Sequence, residues 1–313
     1  GTGAVGFSGV IGGTGSLGAL TINATSDSQT GNANISIVDI GDSNTVGAAA
    51  TNIGNANTNL ITLSGTTFKH GAAVYTTKAD DVIKLTRTAG AGNATFTLSN
   101  ASLEFAGGNI KLSDGVDLVA NTGNKALTVL GVRGTSYEDV TLTTSGTLTV
   151  GTGGIGSGTQ IEDVSLDGTS IVLKGNITTA GTTVGNTNNV GDIDFDGAVT
   201  IDGAITITTD VSESTVNDGK IDFATNTINA EGTSTDSLTL TSGSGTITLG
   251  GAVGGTTGLS SLAVNATALN LAANITTANG LIDINSPVTL TGTNLVVSSG
   301  TGTGNVDFSS TIS

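Results

Sequence analysis

The most ligand-like chemistry in this 313-residue chain is offered by three aspartates at alternate positions. Gly191-Asp192-Ile193-Asp194-Phe195-Asp196-Gly197 contains D-x-D-x-D-G, the first half of a calcium loop of the EF-hand kind, with oxygen donors at alternate positions and glycine at the sixth. The twelfth position, where a bidentate Glu is needed, is Gly203. In a strand the same alternation sends Ile193 and Phe195 to one face and Asp192, Asp194 and Asp196 to the other. The string therefore reads as an acidic outer ladder with weak Ca²⁺ affinity at most, and no other cofactor is expected.

Catalytic groups are scarce. One His and no Cys leave no Ser–His–Asp or Cys–His arrangement that the surrounding sequence recommends. The stretch Phe68–Arg87 holds the single His70, Tyr75, Lys69, Lys78, Lys84, Arg87 and the pair Asp80-Asp81, and breaks the pattern of the rest. It reads as a locally charged corner or a longer side loop over 68–87, leaving the main body. Ala79–Lys84 resembles an Asp-Asp motif of the polygalacturonase family, but that family's Asn-Thr-Asp and later Gly-His-Gly are missing. Glycine strings such as Gly151–Gly156 lead into no helix and carry no following Gly-Lys-Ser/Thr, so they make no phosphate loop. The chain is expected to be no enzyme.

Charge narrows the partners. Twenty-five Asp and Glu face nine Lys and Arg, a net charge of −16. Such a surface repels nucleic acid and anionic lipid headgroups. No apolar run approaches 18 residues, so membrane insertion is not expected. The chain has no Met, initiator included, which predicts a processed or excised segment. Charged residues are only 11% of the chain, and their place is taken by Thr, Ser, Asn and 49 Gly, with a mean hydropathy of +0.21, too apolar for a solvated disordered polymer.

The elements that must carry these residues are short. A three-residue word, apolar–polar–apolar, recurs throughout: Ile35-Ser-Ile37, Leu103-Glu-Phe105, Val140-Thr-Leu142, Ile193-Asp-Phe195, Ile247-Thr-Leu249, Ile282-Asp-Ile284 and Val306-Asp-Phe308 are examples. Each reads as a strand with two core residues, separated from the next by Gly, Asn, Asp and Ser at corners. Helical apolar spacing is absent. Strands this short share a core by stacking as coils, which predicts an all-β parallel β-helix, a single continuous β-solenoid over 1–313. At ~20–25 residues per coil it would have about 14 coils and form a rod of ~65 Å. Internal repeats agree. Gly1–Thr25 and Gly243–Thr267 match at eleven of 25 positions, Ile171–Gly181 matches Leu269–Gly280, and Gly302–Ser313 restates Gly1–Gly12. The last match predicts that Val306 and Phe308 occupy the places of Val5 and Phe7, so that copies stack head to tail in register.

Phrases such as GTITLGGAVGGTTGLSSLAVNA and NLAANITTANGLIDINSPVTLTGTNLVV resemble the repeat regions of large bacterial exoproteins of the filamentous-haemagglutinin and autotransporter-adhesin kind, over about two thirds of the chain. The resemblance implies secretion, a right-handed parallel β-helix and an extracellular, cell-surface role as a stiff stalk or adhesin. The partners it implies are further copies or repeats of the chain itself, head to tail, and surface glycans. The alternatives are a self-assembling filament or sheath protomer and, behind these, a glycan- or ice-binding solenoid using words such as Thr206-Ile-Thr208.

Overall fold

A computed structural model describes residues 3–24, 33–87, 90–135, 137–158, 161–181, 191–210, 218–232 and 235–313. Gly1, Thr2 and Thr25 of the repeated phrase lie outside the described residues. The described residues form 27 β-strands and no helix, and the chain divides into two compact units, Gly1–Gly153 and Gly154–Ser313, where the sequence reads as one continuous segment.

Both units are built the same way. In the amino-terminal unit three columns of apolar residues run through the stack, each residue pairing in parallel with its counterpart one coil on. The first is Val5, Ile35, Ile61, Ile83, Ile110 and Val132. The second is Ile11, Ile40, Phe68, Phe96, Ala120 and Leu142. The third is Ile22, Ile53, Tyr75, Phe105 and Val129. The carboxy-terminal unit has its own three. Val164, Ile193, Ile221, Ile247, Leu269, Val288 and Ile312 form the first, and Ile171, Val199, Ile228, Val253, Ile275 and Val297 the second. Ile177, Ile207, Leu240, Val264, Ile284 and Phe308 form the third.

The three-residue words behave as their period of two demands. Ile193, Phe195, Ile247, Leu249, Ile282 and Ile284 are all buried, and the residues between them point out. Adjacent words also fuse. Glu138–Ile155 is one strand of 18 residues holding both Val140-Thr-Leu142 and Leu148-Thr-Val150, with the inside–outside alternation broken at Val150-Gly151 and again at Gly154-Ile155. The chain makes about ten turns, fewer than the 14 coils expected. Coil length is the reason. One turn takes 20 residues from Val264 to Ile284 but 33 from Ile207 to Leu240, because corners of very different length can join strands that stack equally well.

One expectation needs correction. Residues 68–87 are no side loop: they supply the strands Thr67–His70, Ala72–Thr76 and Val82–Leu85, each inside a column. Val306 stacks on Ile282 and Leu262, and Phe308 on Ile284. The repeat itself is out of phase with the coils: in the match of Ile171–Gly181 to Leu269–Gly280, Ile171 belongs to the second column and Leu269 to the first. Going from one to the other traverses three coils and two further faces. The sequence therefore repeats by strand and corner, and any of the three faces can host the same word.

Candidate functional site

The acidic string begins the strand Ile193–Ile201, in the carboxy-terminal unit. Its alternate aspartates face outward, as the period requires. Extended backbone advances ~3.3 Å per residue, so Asp192 and Asp196 sit ~13 Å apart along the strand, too far to share one ion whose ligands lie at ~2.3–2.6 Å. A D-x-D-x-D string gathers its oxygens only when the backbone curls into a loop.

Each aspartate has a separate occupation. The amide of Asp192 donates to Asp163 Oδ1 at 2.8 Å, and Asp192 Oδ1 in turn accepts the amide of Lys220 at 2.9 Å. Asp192 is thus one of a set of corner side chains that accept a backbone N–H from a neighbouring coil. Asp39 does this for Thr66 and Thr67, Asn176 for Thr206, Asn229 for Thr256 and Asn274 for Val296. Such bonds satisfy amides that a corner leaves outside the strand ladder. The Asn-Ile-Thr words at Asn176 and Asn274 therefore have a structural use.

Asp194 pairs with Asp222 across the coil, and the ammonium of Lys220 bonds Asp194 Oδ1 at 2.5 Å and lies 3.7 Å from Asp222 Oδ2. Partial burial pushes the Lys220 ammonium down, but the Asp194 hydrogen bond and the charges of Asp194, Asp222 and Asp192 outweigh it and hold the group above the usual lysine value. Asp196 stands in register with Asp167, whose carboxyl is pushed up by burial and by the Asp196 charge. Among the described residues no group of three or more His, Asp or Glu is gathered as a metal would need.

Residues 68–87 hold something sequence reasoning missed. Phe68 stacks on Phe96 with ring centroids 4.6 Å apart, Tyr75 stacks on Phe105 at 5.3 Å, and Phe96 meets Phe105 edge to face at 5.1 Å. His70 closes this cluster. It is fully buried, and its Nε2 lies 2.8 Å from Tyr75 Oη while Nδ1 lies 3.2 Å from the carbonyl of Gly71. A carbonyl only accepts, so Nδ1 carries the proton and the tyrosine hydroxyl donates to Nε2, which fits a neutral imidazole. Burial drives the His70 pKa down to about 4, against the opposing effect of the Gly71 hydrogen bond, and burial likewise pushes Tyr75 up. The signal lay in the spacing: Phe68 to Phe96 and Tyr75 to Phe105 are each about one coil apart, which stacks ring on ring.

The remaining sequence candidates do not assemble. Asp80 is a turn residue with φ 66°, and Asp81 accepts a hydrogen bond from Asn59 Nδ2, so the pair serves a corner. Thr206 and Thr208 stack on Thr239 and Thr241, but the next coil continues with Ala263 and Asn265, which ends the threonine array. Apolar exposure concentrates in the terminal coils, at Phe7, Val10 and Leu17 in one unit and Leu281, Leu290, Val296, Val306 and Ile312 in the other. Phe7, Leu17, Leu290, Val306 and Ile312 each have a stacked neighbour on one side. No family model, no curated protein and no solved structure matches this chain.

Proposed function

We propose that the chain is a non-catalytic structural segment of an extracellular, repetitive cell-surface filament or adhesin, serving as a stiff stalk. The observation that carries this reading is the parallel stacking within each unit, coil on coil in unbroken columns with an apolar interior. Backbone hydrogen bonds then run along the stacking direction, and a pull along it is shared by three ladders at once. The acidic exterior supports solubility at high local concentration. A second reading, a protomer that stacks end to end with further copies, is favoured by the apolar side chains exposed on the terminal coils, because open strand edges invite pairing.

Immunoelectron microscopy of unpermeabilised source cells tests the location and form. Antibodies to this segment are expected to decorate thin surface fibres, and cells that label only after permeabilisation overturn the proposal. Electron microscopy of the purified 313-residue chain separates the two readings. Short single particles fit a stalk segment, whereas long filaments fit a protomer.

A further inference from the structure

The outer face of the amino-terminal unit carries an open groove of about 360 Å³, lined by polar side chains alone. That volume lies within the ~300–1,000 Å³ of ordinary ligand sites. Two stacked strands make the floor: Thr67 pairs with Thr95 and Lys69 with Thr97, and all four side chains point outward. Hydroxyls one inter-strand step apart, ~4.8 Å, are too distant to bond each other. Among the described residues no protein group hydrogen-bonds the side chains of Thr95, Thr97 or Asn93, the last of which stands exposed at the groove's edge. The hydroxyls form a local patch, because Val119 and Asn121 follow Thr95 and Thr97 in the next coil.

One wall of the groove is built in advance. Asp42 Oδ1 accepts the amides of Asn44 at 2.8 Å and Thr45 at 2.6 Å, which closes the turn 42–45. Lys69 Nζ donates to the Ser43 carbonyl at 2.9 Å and straps that turn to the sheet face, with two of its three N–H groups left to donate. The Asn44 and Thr45 amides, helped by the Lys69 charge, hold the Asp42 carboxyl below its usual range, so it stays an ionised acceptor. One carboxylate and one ammonium cancel, so the groove favours neither anions nor cations. An apolar ligand would meet no apolar wall. What fits is a neutral molecule whose several hydroxyls both donate and accept. We propose that this groove binds a neutral sugar residue of an oligosaccharide, its ring hydroxyls taken by Asp42, Lys69, Asn93, Thr95 and Thr97. Hydrogen bonds to the groove replace hydrogen bonds to water, so a single site should bind with millimolar affinity. The site is independent of the stalk reading and of any end-to-end stacking.

Saturation-transfer NMR of the full chain with maltotriose, cellotriose and tri-N-acetylchitotriose tests it. Transfer to at least one of these sugars is expected, with half-saturation in the millimolar range. Thr95→Val with Thr97→Val keeps the β-branched shape on the outer face and removes two hydroxyls. This variant should bind about tenfold more weakly, with an unchanged β-sheet circular dichroism spectrum. Asn93→Ala, at a corner outside the strands, should weaken binding as well. Thr206→Val with Thr208→Val, an outward pair in the carboxy-terminal unit, should bind like the native chain. No transfer to any of the three sugars overturns the proposal, as does undiminished binding by the Thr95 and Thr97 variant or equal loss in the Thr206 and Thr208 variant. Sialyllactose bound more tightly than all three neutral sugars would assign the groove to an acidic saccharide through Lys69, and would equally overturn it.

Discussion

His70 is the residue whose environment departs furthest from its ordinary chemistry. The folded chain holds it neutral, with a pKa of about 4 against 6.5 for a free imidazole, so the unfolded chain binds more protons between those values. Stability from the neutral ring is complete above pH 6.5 and is lost as pH falls toward 4, by about 3 kcal/mol at most. Protonation would place a donor on Nε2 facing the Tyr75 hydroxyl, which would have to turn its own hydrogen toward the aromatic cluster. Denaturant titrations at pH 7, 5.5 and 4 are expected to show a steeper acid loss for the native chain than for His70→Gln, and parallel losses would refute this account. Outward and inward residues of one word should differ as sharply. Ile284→Asp puts a carboxylate where the side chain is fully buried and should cost several kcal/mol, whereas Asp283→Asn, on the outer face, should be nearly neutral in the same titration.

At the scale of the strand and its corner, side-chain acceptors do what a longer ladder would otherwise do. Asn274 Oδ1 accepts the Val296 amide at 2.8 Å, so Asn274→Ala leaves that N–H to solvent and should lower stability by about 1 kcal/mol. Hydrogen exchange at the Val296 amide reports it directly: faster exchange in the variant is expected, and an unchanged rate would show that the bond contributes nothing. Corner glycines meet a stricter demand. A Cβ on Gly280 would run into the Ser260 carbonyl oxygen, so no larger residue fits while the coils keep their spacing. The acidic ladder belongs at this scale too. Asp192, Asp194 and Asp196 are spread along one extended strand, with Lys220 engaging the first two, so calorimetry should find millimolar Ca²⁺ affinity at best. Lys220→Ala removes the competing cation and should strengthen it several-fold, while submicromolar affinity in the native chain would contradict the ladder geometry.

For the whole molecule, the position of a residue in the stack decides what its burial contributes. Val306 occupies the same column as Ile282 but stands in the last described coil, where it is 39% exposed. Val306→Asp should therefore cost far less in the isolated 313-residue chain than Ile284→Asp. If the terminal coils take part in end-to-end stacking, the same substitution should shorten or abolish filaments under the electron microscope while leaving the β-sheet spectrum intact. Unchanged filaments would show that these apolar ends are not the contact.

The alternation of apolar and polar residues was sufficient to specify strands, their inward faces and the all-β solenoid class, because the period of two is a local property of extended backbone. It likewise placed Ile193 and Phe195 inside and their neighbouring aspartates outside. Which strand lies over which is a different matter. Corner lengths that vary between coils of 20 and 33 residues set the phase, so the similar words at Ile171 and Leu269 lie on different faces and the number of turns is about ten. Only the stack revealed that Phe68, His70, Tyr75, Phe96 and Phe105 share one cluster, and that Thr67, Lys69, Thr95 and Thr97 share one outward patch. Those neighbours are one coil apart in sequence, and contact between them exists only once parallel pairing has fixed the register.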